Sequence, residues 1–219
     1  MIESRLSGGM QGGAWLVRGS AGAAVLKWIK VDPDDAVRVV EHARSCGYRT
    51  PRWLDFGTTD DGQSWCVQEF VEGTPMGDLD VRGAELIVEL VALQRTITPT
   101  TARTLPTFGG SDELVHSDLA VQNILLRDGV VAGVIDFEEA ARGCAVLDLL
   151  SPAANAIVWR SDVAAIEVLH RYIRDTYDDA TITAASTIVA EQICNWYRRA
   201  LPGEFARIES AVTEWRDAL

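Results

Sequence analysis

The sequence predicts an α+β chain of two lobes: an antiparallel, strand-rich N-terminal lobe with one helix, then a mainly helical C-terminal lobe. Two observations predict it. Short apolar runs punctuated by glycine and Asp-Gly turns fill the first third. From residue 161 onward apolar residues recur at helical spacing instead.

The elements follow in order. AWLVRG (14–19) and AAVLKWIKV (23–31), separated by Gly19-Ser20-Ala21-Gly22, read as a hairpin. Asp32-Pro33-Asp34-Asp35 is a helix start, and Ala36, Val39, Val40 and Ala43 keep helical spacing until Gly47. Trp53–Phe56 and Ser64–Val71 flank the Asp60-Asp61-Gly62 turn as two more strands. The texture changes at Gly73, which places the boundary between lobes 1–72 and 73–219. Val81–Ile97 reads as an apolar helix, 98–113 as a loop, and NILLRDG with VVAGVIDF as a hairpin around Asp128-Gly129. Beyond it, Ser161 is expected to cap a helix carrying Ile166, Leu169 and Ile173; Thr181–Leu201 and Glu204–Leu219 complete the set.

Composition narrows the function. The 219 residues carry 20 Lys+Arg against 32 Asp+Glu, a net charge of −12, which excludes a nucleic-acid binder that works by bulk positive charge. The acidity serves solubility first, and attraction of a cationic small molecule second. No apolar stretch has the length of a membrane span, and Glu3 with the early glycines leaves no signal-peptide core, so a cytoplasmic location is expected. Cys46, Cys66, Cys144 and Cys194 are scattered without a CxxC pair, so neither zinc nor a disulfide framework is expected. Lys27 and Lys30 are the only lysines, which limits the candidates wherever chemistry needs one.

The sharpest signal is VHSDLAVQNILLRDGVVAGVIDFEEA, residues 115–140. Phosphoryl transfer needs a carboxylate to orient an acceptor hydroxyl and oxygen ligands to hold Mg²⁺ on the phosphates. Asp118, before the hairpin, suits the first task. Asn123 and Asp136, on the two arms that the turn brings together, suit the second.

This constellation resembles the catalytic loop and metal motif of the protein-kinase-like fold, and most closely its small-molecule branch of the aminoglycoside phosphotransferase and choline kinase type. The branch's HxDxxxxN is met by His116, Asp118 and Asn123, and its apolar-IDF-acid string by Val134-Ile135-Asp136-Phe137-Glu138. Glu138 stands where protein kinases proper have glycine, and Ser117 where the branch often has it. The resemblance implies that Gly8, Gly9, Gly12 and Gly13 form a phosphate-cradling turn, though without GxGxxG spacing, and that Lys27 binds phosphate. It implies a helix acid paired with Lys27, for which Glu41 is preferred over Asp35. It also implies a hinge at Gln68–Val71 whose backbone, at Glu69 and Val71, meets the nucleotide base without distinguishing ATP from GTP. His116 and Asp148 take supporting roles. Trp159 and Trp196, with Asp162, Glu191 and Glu204, are the acceptor-side candidates.

The function expected is Mg²⁺-dependent transfer of the γ-phosphate of ATP or GTP to a hydroxyl of a small molecule, with a basic antibiotic as the favoured acceptor. A metabolic kinase for a sugar, choline-like or amino-alcohol substrate is the alternative, followed by a nucleotide-binding pseudokinase that serves as an interaction module. Family members are generally longer, and the short stretch from Gly73 to His116 implies a small or open acceptor pocket.

Overall fold

The structure, a computed structural model, describes residues 2–6, 13–19 and 22–219. Its N-terminal sheet has the order β1-β2-β3-β5-β4, antiparallel throughout. The strands are β1 (Ile2–Leu6), β2 (Ala14–Gly19), β3 (Gly22–Ile29), β4 (Trp53–Thr58) and β5 (Ser64–Glu69). β1 was not expected from the sequence, and β5 ends two residues earlier than Val71.

Helix α1 (Pro33–Ser45) follows β3. The Asp32 side chain caps it by accepting from the Asp35 N–H at 2.9 Å, and Pro33 occupies the first turn, where its missing N–H costs nothing. Gly47 stops it with φ +92°. The Gly47 N–H then reaches the Arg44 carbonyl at 2.9 Å and the Tyr48 N–H the Ala43 carbonyl at 3.0 Å, which together make a Schellman cap. The reversal buries Tyr48 against Phe137, with ring centroids 5.0 Å apart, next to the chemistry-bearing turn.

The chain then runs through β6 (Thr74–Pro75), α2 (Val81–Gln94) and β7 (Glu113–Val115) to β8 (Ile124–Arg127), β9 (Val130–Val134) and β10 (Ala141–Gly143). α2 stops three residues short of Ile97. β8 and β9 form the expected hairpin: Asp128 and Gly129, at φ +54° and +75°, make its two-residue turn, and Arg127 pairs with Val130. β6 adds to β8, and β10 pairs with β7, so the stretch between β7 and β10 is tied into two small sheets.

Helices α3 (Leu147–Trp159), α4 (Val163–Thr176), α5 (Asp179–Ala200) and α6 (Phe205–Asp217) build the rest. α3 buries Leu147, Leu149, Leu150, Ala153, Ala154, Ala156 and Val158 around most of its circumference, so it is the central helix against which α2, α4, α5 and α6 pack. The cap of α4 is Asp162, whose carboxylate accepts from the Ala164 N–H at 2.9 Å; Ser161 is not the cap. Among the described residues no helix is long and apolar enough to cross a membrane. The architecture is the α+β, two-lobed kinase-like arrangement, with an antiparallel sheet and one helix before a mainly helical part.

Candidate active site

β7 delivers His116 into the core and leaves Asp118 at the surface one turn later. Between them Ser117 adopts φ +79°, a left-handed conformation that a non-glycine residue holds only when its surroundings fix it. Asp148, buried in the first turn of α3, does the fixing: its Oδ2 accepts from the His116 N–H at 2.6 Å and its Oδ1 from the Ser117 N–H at 3.1 Å. Gln94 of α2 donates to Oδ2 as well, at 2.8 Å. Burial pushes the Asp148 carboxyl up, and the nearby His116 and these N–H groups oppose that push. The Ser117 hydroxyl donates to the Glu139 carbonyl at 2.9 Å, and Arg103 donates to the same carbonyl at 2.7 Å.

His116 has no nitrogen to spare. Its Nδ1 accepts from the Asp118 N–H at 3.3 Å, its Nε2 meets the Ile135 carbonyl at 2.9 Å, and its ring packs edge-on against Phe137. The ring therefore braces the Asp118 turn against the strand that leads to Asp136. Asn123, buried, clamps Asp118 from the other side, with Nδ2 donating to the Asp118 carbonyl at 2.9 Å and to its Oδ2 at 3.2 Å. The Asn123 carbonyl accepts from the Ile135 N–H at 2.8 Å, which keeps Asn123 beside the residue that precedes Asp136. The loop thus brings together Asp118, Asn123 and Asp136, with His116 and Asp148 behind them.

Asp136, two residues beyond β9, adopts a left-handed conformation (φ +61°), and the chain turns at once through Phe137–Glu139. That turn presents two carboxylates to Lys27. The ammonium lies 2.7 Å from Asp136 Oδ1 and 2.5 Å from Glu138 Oε1, with only 11% of the lysine side chain exposed. Burial alone would lower the affinity of Lys27 for its proton, but the charges of Glu138 and Asp136 reverse this and hold the group well above its usual range. Cys66, opposite Lys27 in the β3–β5 ladder, has its thiol pushed up to about 12 by burial and by Glu138, so it is inert as a nucleophile.

The expected pairing of Lys27 with a helix acid is corrected by this geometry. Glu41 is exposed on α1, and Asp35 is engaged by Thr101 at 2.8 Å and Arg38 at 3.1 Å. α1 buries Pro33, Ala36, Val37, Val39, Val40 and Ala43, and no acid is among them. The Glu69 N–H is already bonded to the Arg52 carbonyl at 2.9 Å and its carboxylate to Arg44 at 3.1 Å, while Val71 packs beside Gly133. Gly13 has φ +86°, and a side chain there would press on Arg5 and Trp15; Gly8, Gly9 and Gly12 lie outside the described residues.

Sequence reasoning singled out neither Glu138 as a lysine partner nor Arg103 and Glu139 as supports. The signal for Glu138 was its offset of two from an aspartate just beyond a strand, since a tight turn after Asp136 returns residue 138 to the same side.

The donor set suits a hard divalent cation. Asn123 and Asp136 offer neutral and anionic oxygens from adjoining arms. Among the described residues no group of three or more His, Cys, Asp or Glu side chains could by itself hold a metal ion. On the acceptor side, Trp159 is 58% and Trp196 38% exposed, and both pack edge-on against Tyr197, whose hydroxyl donates to Asn155 at 3.1 Å. Asp162 is occupied in capping α4 and Glu204 pairs with Arg207, which leaves Glu191 exposed on α5.

The model of the family described as "Phosphotransferase enzyme family" matches residues 99–185, the stretch that holds Asp118, Asn123, Asp136 and Asp148. No curated protein matches the chain in sequence. Among solved structures, a thermostable mutant of aminoglycoside phosphotransferase APH(4)-Ia, in ternary complex with ADP and hygromycin B, superposes with TM-score 0.70 at 16% identity, over 98% of this chain and 92% of that one. An aminoglycoside phosphotransferase from Alicyclobacillus acidocaldarius gives TM-score 0.68 at 14% identity, over 99% and 90% of the two chains. Macrolide 2'-phosphotransferase MphH from Brachybacterium faecium gives 0.61 at 13%, over 95% and 91%. The likeness in fold runs nearly end to end, and the likeness in sequence lies where the site is.

Proposed function

We propose that this chain, a phosphotransferase of the small-molecule kinase type by the family signature at its site and by its fold, moves the γ-phosphate of ATP or GTP to a hydroxyl of a basic antibiotic or a similar cationic acceptor. The observation that carries the reading is the clamp on Asp118, whose backbone and carboxylate are both fixed by Asn123 while the residue stays exposed to an incoming hydroxyl.

Asp118 orients the acceptor hydroxyl and accepts its proton as the oxygen attacks. Asn123 fixes the direction of that carboxylate, so little reorganisation is left for the moment of transfer. Asn123 and Asp136 would hold Mg²⁺, which supplies charge neutralisation on the phosphate oxygens. Lys27 adds a fixed positive charge beside them, and Gly13, which carries no side chain, lets the backbone come close to the phosphates. If the end of β5 meets the base, the Glu69 carbonyl and the Val71 backbone would carry the contact, because the Glu69 N–H is committed to Arg52. Support for an antibiotic acceptor comes from structural neighbours, one in complex with hygromycin B and one a macrolide 2'-phosphotransferase, together with the net charge of −12 and the exposed Trp159 and Trp196.

The test is consumption of ATP and of GTP, with Mg²⁺, against hydroxylated basic antibiotics and small neutral or cationic alcohols, wild type beside Asp118→Asn. Acceptor-dependent turnover that falls about 10²–10⁴-fold in the variant is the expected result. Unchanged turnover in Asp118→Asn would sink the assignment, and turnover with neutral alcohols alone would move the acceptor class to metabolism.

A further inference from the structure

Both carboxylates that grip Lys27 come from the turn after β9, and the helix that could have offered one offers none. The two are not equivalent. Asp136 leaves 45% of its side chain exposed, whereas Glu138 leaves 10%. Glu138 Oε1 meets the ammonium, and its Oε2 is enclosed without a hydrogen-bond partner. A buried carboxylate in that state is costly unless its charge is matched, and among the described residues Lys27 is the cation that matches it. A metal that engaged Asp136 would compete with Lys27 for the same carboxylate, and Glu138 would remain as the second partner of the lysine.

We propose that Glu138 is the positioning residue for Lys27, holding the ammonium at the phosphate site in place of a helix acid and keeping it there when Asp136 turns to a metal-bound nucleotide. The pairing stands on the geometry alone; its part in nucleotide binding rests on the phosphotransferase reading above. Glu138 acts on the nucleotide through Lys27, so its removal weakens nucleotide binding no further once the lysine is gone.

A double-mutant cycle tests this on the whole chain, with Lys27→Met, Glu138→Gln, both together, and Glu41→Gln as the helix comparison. Two quantities are read without turnover: the dissociation constant of a fluorescent ADP analogue in excess Mg²⁺, and the melting temperature. The expected result is binding about tenfold weaker in Glu138→Gln and in Lys27→Met, no further loss in the double variant, and wild-type binding in Glu41→Gln. Lys27→Met should melt below wild type and the double variant above Lys27→Met, because the second change removes a buried carboxylate left unpaired. Multiplying losses in the double variant, wild-type binding in Glu138→Gln, or a Glu41→Gln loss equal to that of Lys27→Met would each overturn the proposal. If the wild type binds no nucleotide analogue, the phosphotransferase reading fails by itself. The melting series still decides the anchor: recovery in the double variant supports it, and a further fall overturns it.

Discussion

Asp148 shows how one buried acid fixes the turn before Asp118 from behind. It never reaches the acceptor side, yet three N–H groups, from His116, Ser117 and Gln94, converge on its two oxygens. Removing it strands those donors in the core, and each buried donor left without a partner costs about 1–3 kcal/mol. Asp148→Ala is therefore expected to lose at least about 3 kcal/mol of stability by urea unfolding, and to lose turnover as Ser117 relaxes from φ +79°. Asp148→Asn keeps the shape but turns one acceptor into a donor facing N–H groups, so it should recover only part of the loss. At this scale the sequence was legible where chemistry dictates residue type: an acid before a hairpin, an amide and an acid on its arms. Lys27's partner was not legible, because several acids lie within reach in sequence and only the turn at Asp136 selects Glu138 over Glu41.

The cap of α1 links a local rule to the site. Gly47 has open space around its α-carbon, so a side chain there meets no clash and feels only the cost of φ +92°. Gly47→Ala is expected to cost about 1 kcal/mol for that reason, and more if the reversal shifts and withdraws Tyr48 from Phe137; a melting curve with the near-ultraviolet signal of the aromatic core reads both. This helix stop was legible, as were the Asp128-Gly129 hairpin and the strand pairs around it, since each depends on residues a few positions apart. The two-residue β6 and the β7–β10 pair were not, because they exist only through partners 26 to 52 residues away that supply the hydrogen bonds. Asp162 outranks Ser161 as a cap because the carboxylate of Asp162 reaches the Ala164 N–H as the chain enters α4.

Across the whole molecule, the helical half carries a pH-sensitive joint of its own. His170 of α4 accepts a hydrogen bond from the Trp215 indole of α6 at 3.0 Å, and burial, with Arg174 beside it, lowers the affinity of the imidazole for a proton. A group held below its ordinary value of 6.5 contributes stability above that pH and loses it as the pH falls through the lowered value. The melting temperature should accordingly drop between about pH 7 and pH 5, and the part of the drop due to this joint should vanish in His170→Gln, which can still accept from the indole. The overall division into a sheet half and a helical half was legible from the change of periodicity, whereas the central position of α3 was not. Its run is apolar nearly all round, so it has no polar face to show which helices surround it.

Most of the site is assembled over short stretches of chain: Asp148 meets the His116 N–H across 32 residues and Asn123 meets Asp118 across 5. The Lys27 contact with Asp136 spans 109 residues. Closing that longer loop costs about 1 kcal/mol more in chain entropy than closing the one between His116 and Asp148. A refolding chain would then restore the Asp118 turn before the Lys27 contact, which joins the two halves of the chain last.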